Sequence, residues 1–196
     1  MDDRYHTHNA TSADWDGLSY LIDAHFMHYA LEQARIARDI NEVPIGAVVV
    51  YNNEIIAAGH NRREIDHSPV AHAEHIALTE AACLLNRWRL SDCTVYVTLE
   101  PCIMCAGLMH QARVARCVYG APDPKAGALG SLYAIHADKR LNHTFEVTAG
   151  ICREECTELL QTFFTELREK QRNAKKKERT RLIPEIDPSR EKEGSA

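Results

Sequence analysis

The sequence predicts an α/β domain of three layers, with helices on both faces of a five-stranded mixed sheet. Three observations predict it. Residues 45–59 carry a hairpin signal, which needs an antiparallel pair. Residues 94–119 read as strand, helix, strand, which needs a parallel pair. Helical periodicity before, between and after these segments supplies enough amphipathic surface to cover both faces. With 196 residues, of which 45% are hydrophobic and 26% charged, one domain can bury an adequate core without disulfide staples.

Residues 1–22 mix Asp, Ser, Thr, Asn and His without a sustained period and are expected to form a flexible leader. Asp23 is placed as the N-cap of a first helix in which Phe26, Met27, Ala30, Leu31, Ala34 and Ala37 recur at three- and four-residue spacing. Residues 45–50 are β-branched and apolar on both faces, as in a central strand, and Asn52-Asn53 turns the chain into a second strand over 55–59. A polar loop to Ser68 and Pro69 precedes a helix over 72–85. Residues 94–99 form the next strand. Pro101 suits the first turn of a helix reaching Ala112, because proline lacks an N–H that would be orphaned there. Strands follow over 114–119 and 145–148, separated by a Gly- and Pro-rich loop over 120–130, and a long helix spans 152–177.

Composition narrows the function. No stretch approaches the roughly 20 apolar residues of a membrane span, so no membrane partner is expected. The seven cysteines are odd in number and no secretory signal precedes them, which indicates a reducing compartment; the polar, acidic start points to the cytoplasm. A net charge of −5 excludes a protein that grips nucleic acid by bulk charge. Residues 166–181, however, hold eight Lys or Arg against three Glu, and read either as a solvated helix end or as a local contact for a polyanion.

Two segments carry chemistry: His72-Ala73-Glu74 opening one helix and Pro101-Cys102-Ile103-Met104-Cys105 opening the next. Cys102 and Cys105, three apart at a helix start, put two sulfurs on one face, where the helix dipole favours thiolate, and His72 is a third ligand. His75 is the rival imidazole. Three ligands leave one tetrahedral position open to water, as in catalytic rather than structural zinc sites. Glu74, two residues from His72 and therefore on another face, is the proton shuttle. Cys83, Cys93, Cys117, Cys152 and Cys156 read as small core residues. His6, His8, His25 and His28 show no spacing that orders them around a metal.

These segments match H-x-E…P-C-x-x-C, the signature of zinc deaminases. Beyond it, Glu42-Val43-Pro44-Ile45-Gly46-Ala47-Val48, Gly59-His60-Asn61-Arg62, Thr98-Leu99-Glu100-Pro101-Cys102, Cys105-Ala106-Gly107, Gly127-Ala128-Leu129-Gly130-Ser131-Leu132 and Asn142-His143 resemble the bacterial tRNA-specific adenosine deaminases. The resemblance covers about residues 25–177. It implies a cytidine-deaminase-like fold for a zinc-dependent deaminase domain over 23–177; beyond it the charge content, joined by Pro from residue 183, is expected to give a disordered tail over 178–196. It also implies a homodimer with one zinc per subunit and hydrolysis of adenosine to inosine at the wobble position of a tRNA anticodon stem-loop. Alternatives are a deaminase of a free nucleobase, nucleoside or nucleotide, and a zinc-stabilised RNA-binding module without turnover.

Carried over, the resemblance makes His72, Cys102 and Cys105 the zinc ligands and Glu74 the general acid/base. It makes Asn61 the hydrogen-bonding partner of the flipped purine nucleoside, Val43 and Ile45 pocket walls, and the Leu99 carbonyl an acceptor for the attacking water or departing amine. Asp123 and Lys125 would touch RNA near the target, and Phe163 or Phe164 a neighbouring base. The sequence departs from the family at Pro122 and Thr144, where a basic residue is usual, and Pro124 follows; fewer phosphate contacts are expected there.

Overall fold

A computed structural model describes residues 17–181, so the expectations for 1–16 and 182–196 lie outside the described residues. The described residues divide into two units, 17–160 and 161–181. The first holds a five-stranded sheet ordered β2-β1-β3-β4-β5. Its elements are α1 (Gly17–Asp39), β1 (Gly46–Tyr51), β2 (Glu54–His60), α2 (Ala73–Leu84), β3 (Cys93–Leu99), α3 (Ile103–Ala112), β4 (Arg116–Ala121), β5 (Glu146–Ala149) and the opening turns of α4 (Arg153–Arg181). β1 pairs antiparallel with β2 and β3, whereas β3–β4 and β4–β5 are parallel, as the hairpin and the strand–helix–strand unit require. Asn52 and Asn53 both adopt positive φ, 50° and 62°, which is the geometry of a tight hairpin turn matched to strand twist.

Strand alternation sorts the core into two layers. Ala47, Val49, Val95, Val97, Cys117 and Tyr119 face α2 and α3 through Ala77, Leu78, Ala106 and Met109. Val48, Val50, Tyr96 and Val118 face Phe26, Met27, Ala30 and Leu31 of α1, together with Ile151, Cys152 and Cys156. Because both faces are covered, β1 shows no polar alternation. Among the described residues no helix is long and apolar enough to cross a membrane.

α1 lies so close to β1 that a Cβ on Gly46 would sit 2.1 Å from the Ala30 carbonyl oxygen and 2.4 Å from the Ala34 nitrogen. Both are backbone atoms of a helix that cannot move without leaving the sheet. Gly46→Ala is therefore expected to cost about 3 kcal/mol, at the upper end of overpacking. That loss would lower Tm by about 6–12 °C in a thermal melt; an unchanged Tm would contradict the packing described.

Boundaries shift from the sequence expectation, β4 by two residues to Arg116–Ala121 among them, and three of the shifts have a structural reason or consequence. α1 begins at Gly17, six residues inside the expected leader, and Asp23 is a buried mid-helix residue rather than an N-cap. The reason is a distant partner: the Arg116 guanidinium donates to both Asp23 oxygens at 2.9 and 2.6 Å, and the Tyr96 hydroxyl donates at 2.8 Å. Cys102 is the N-cap of α3, so Pro101 stands just ahead of the helix instead of in its first turn. α4 continues to Arg181, past the expected start of the tail at 178. A 3-10 turn at Ile135–Ala137 was not anticipated. The second unit is described through residues 161–181, a helical run in which the Phe163 and Phe164 rings meet edge to face at 5.6 Å.

Candidate metal and catalytic site

Two helix N-termini build the site. β2 returns through the 61–72 loop to His72, the N-cap of α2, and β3 runs out through Glu100-Pro101 to Cys102, the N-cap of α3. Each N-cap carbonyl accepts the first helical bond, Ile76 N–H at 3.0 Å and Ala106 N–H at 2.9 Å. His72 Nδ1 then lies 3.8 Å from Cys102 Sγ and 3.6 Å from Cys105 Sγ, and the three atoms lie within 4.8 Å of one another. A zinc ion bound tetrahedrally with Zn–S about 2.3 Å and Zn–N about 2.05 Å has ligand–ligand edges of about 3.6–3.8 Å. The donor set and its spacing fit that ion. His75 is not a member of the cluster.

The charge state supports the fit. A hydrogen bond from the Cys105 thiol, with His72 adding to it, holds the Cys102 thiol down to about 3. Cys105 is pushed well up because it keeps the proton shared with Cys102 and because it is buried. His72 is raised through its hydrogen bond to Cys102. A bound cation would take the place of the protons on Cys105 and His72. Glu74 is buried beside this group, and burial pushes its carboxyl up. A carboxyl raised by its surroundings and adjacent to a metal cluster is suited to both accept and donate a proton.

The other expected residues fall into distinct situations. Asn61 is buried, and its Nδ2 donates to Glu42 Oε2 at 3.1 Å. Val43, Ile45 and Leu99 are partly buried and pack against the apolar cluster on the α1 side of the sheet, and Ile45 also packs against the cluster on the α2–α3 side. Asp123 uses its carboxylate on its own loop, accepting from the Lys125 and Ala126 N–H groups at 2.9 and 3.2 Å, while Lys125 is exposed. Phe163 and Phe164 belong to the second unit.

Two buried carboxylates that sequence reasoning passed over shape the site. Glu42 holds Asn61 and also accepts from the Glu64 and Ile65 N–H groups at 2.7 and 2.8 Å, so it sets both the amide and the loop leading to His72. Glu100 accepts from the Asp123, Leu129 and Ser131 N–H groups at 3.0, 3.0 and 2.9 Å and from the Ser131 hydroxyl. It thereby anchors the 123–131 loop, which pairs with the metal-ligand segment through Gly127 and Cys102. Gly127 has no alternative there, since a Cβ would fall 2.3 Å from Glu100 Cδ. Both carboxylates stood inside the quoted motifs; only their burial away from solvent reveals what they do.

Comparison with known proteins places these residues in a wider pattern. The model of the MafB19-like deaminase family matches residues 22–168. The tRNA-specific adenosine deaminase of Bacillus subtilis (strain 168) is 47% identical over 154 residues, 79% of this chain and 96% of that protein. Its counterpart of the same name in Haemophilus influenzae is 46% identical over 152 residues, 77% of this chain and 88% of that protein. A solved structure from work on A-to-I editing by tRNA:A34 deaminases at the wobble position of transfer RNA has a TM-score of 0.67 and 41% identity. It covers 69% of this chain and 99% of its own.

Proposed function

The chain belongs to the MafB19-like deaminases and, within reach of nearly full-length relatives, to the tRNA-specific adenosine deaminases, and from that premise we propose that it hydrolyses adenosine to inosine at the tRNA wobble position. The observation that carries this reading is the His72–Cys102–Cys105 cluster with buried Glu74 beside it, set in a segment that aligns with those enzymes almost end to end. The overall reaction consumes one water and releases one ammonia, with the C6 carbonyl of inosine replacing the exocyclic amine.

His72, Cys102 and Cys105 would hold one zinc ion, which when bound supplies hydroxide at neutral pH by lowering the pKa of water to about 7. Glu74 takes one proton from the water and passes it to the ring nitrogen, then takes the remaining proton from the hydroxyl added at C6 and delivers it to the amine, which leaves as ammonia while the C6 carbonyl forms. Asn61, its amide oriented by Glu42, hydrogen-bonds the purine nucleoside, and Val43, Ile45 and Leu99 wall the pocket, with the Leu99 carbonyl accepting from the attacking water or leaving amine. Asp123 and Lys125 meet RNA beside the target, and Phe163 or Phe164 stacks a neighbouring base. The base must leave its stack for attack at C6, and an anticodon loop gives it up at little cost. The enzyme acts in the cytoplasm as a homodimer.

A product assay tests the reading. Metal-loaded protein is expected to form inosine in an anticodon stem-loop carrying adenosine at the wobble position, and not from free adenosine, cytidine or guanine. Turnover of a free compound alone would replace the RNA substrate by a small one; no turnover at all by metal-loaded protein would leave an RNA-binding module.

A further inference from the structure

We propose that His28, Cys152 and Glu155 form a second site for a divalent transition-metal ion of the zinc class, on the face of the sheet opposite the first. The three side chains offer ligand atoms that all lie within 4.8 Å of one another. His28 and Cys152 belong to the α1 side of the sheet, whereas α2 and α3 cover the other side. Nothing in the chemistry assigned to the first site uses them.

The arrangement resembles the first site's construction in ligand order, with the Cys152 backbone at φ 52° where that of Cys102 is extended. In that site a cysteine caps a helix, a second ligand follows three residues later in the first turn, and a histidine comes from another helix. Here Cys152 stands immediately before α4, and its carbonyl accepts the Cys156 N–H at 3.1 Å, as the Cys102 carbonyl accepts the Ala106 N–H. Glu155 follows three residues later, and His28 comes from α1. Burial and the Glu155 carboxylate push the Cys152 thiol up to about 11, so a cation binding there displaces its proton, and Glu154 and Glu155 in the first turn of α4 supply negative charge to attract it.

The imidazole is already set for coordination. His28 Nδ1 lies 2.6 Å from the Ala24 carbonyl oxygen, a contact only a protonated Nδ1 can make favourably. That bond leaves Nε2 with its lone pair, 3.6 Å from Glu155 Oε1. A backbone carbonyl fixing the distal nitrogen is the usual support of a metal-ligating histidine. As a plain ion pair the contact would be worth little, since the His28 and Glu155 side chains are 53% and 51% exposed. The same exposure gives solvent room to complete a coordination shell and predicts weaker binding than at the buried first site. A nitrogen, a sulfur and a carboxylate oxygen together suit zinc, cobalt or nickel over magnesium or calcium.

The test is metal stoichiometry on the full chain. Reduced protein, stripped with a chelator and equilibrated with buffered zinc, is expected to carry two equivalents per chain. Cys152→Ser and His28→Ala are each expected to carry one, and His28→Ala, a change at an exposed position, should deaminate RNA at the wild-type rate. With cobalt(II) in place of zinc, the thiolate-to-metal absorption of the weaker equivalent should vanish in Cys152→Ser. One equivalent in the wild type would overturn the proposal, and so would two equivalents retained in either variant, which would assign the extra ion to other groups such as His6 and His8.

Discussion

Replacing Glu74 with Gln is expected to lower kcat for RNA deamination by about 10³-fold, the scale of a lost general acid/base. Metal content and RNA affinity should stay at wild-type levels. The side chain keeps its size and its buried place beside the cluster, so only its capacity to carry a proton is removed. Quantifying inosine under single-turnover conditions, with metal analysis of the same preparation, separates the proton role from a folding defect. Wild-type turnover by Glu74→Gln would sink the assigned mechanism, and loss of metal together with turnover would make Glu74 a support of the site instead of its acid/base.

Glu100→Ala is expected to destabilise the fold by about 4 kcal/mol, because three backbone N–H groups and a hydroxyl lose a charged acceptor in a buried setting. Tm should fall by about 8–16 °C. At a temperature where the variant is still folded, kcat/KM for the stem-loop should drop on the order of 10²-fold, since the loop it anchors carries Asp123 and Lys125 and abuts Cys102. Glu100→Gln should fall between the two, keeping one acceptor oxygen but turning a donor amide toward N–H groups. A melt and an RNA titration of both variants check this; a Glu100→Ala protein as stable as the wild type would remove the loop-anchoring role.

Much of this molecule could be read from its sequence, and the reasons differ by element. The hairpin was legible because Asn52-Asn53 between β-branched runs leaves few other conformations. The His72–Cys102–Cys105 cluster was legible because its members sit at helix starts, where three-residue spacing fixes geometry locally. Asp23 was misread because an acidic residue before an apolar period looks like a cap, and the partners that draw it inward, Tyr96 and Arg116, lie 73 and 93 residues away. Glu42 and Glu100 escaped notice for a related reason: charged residues are rarely fully buried, and what justifies these two is a set of backbone N–H groups that no side-chain pattern records. His28, too, had no visible order, since its neighbours Cys152 and Glu155 come from the far end of the domain.

The Asp23–Arg116–Tyr96 triad sets a limit on how the protein can be shortened. A chain trimmed to begin after Asp23 would still contain every residue of the proposed deamination site. It would also leave the Arg116 guanidinium, on a side chain 22% exposed, and the Tyr96 hydroxyl without the carboxylate they share, and donors stranded in this way cost about 1–3 kcal/mol. The first helix, far from the chemistry, is thus inseparable from the enzyme, and the latest safe starting point lies upstream of the counterion rather than at the first residue of the sheet.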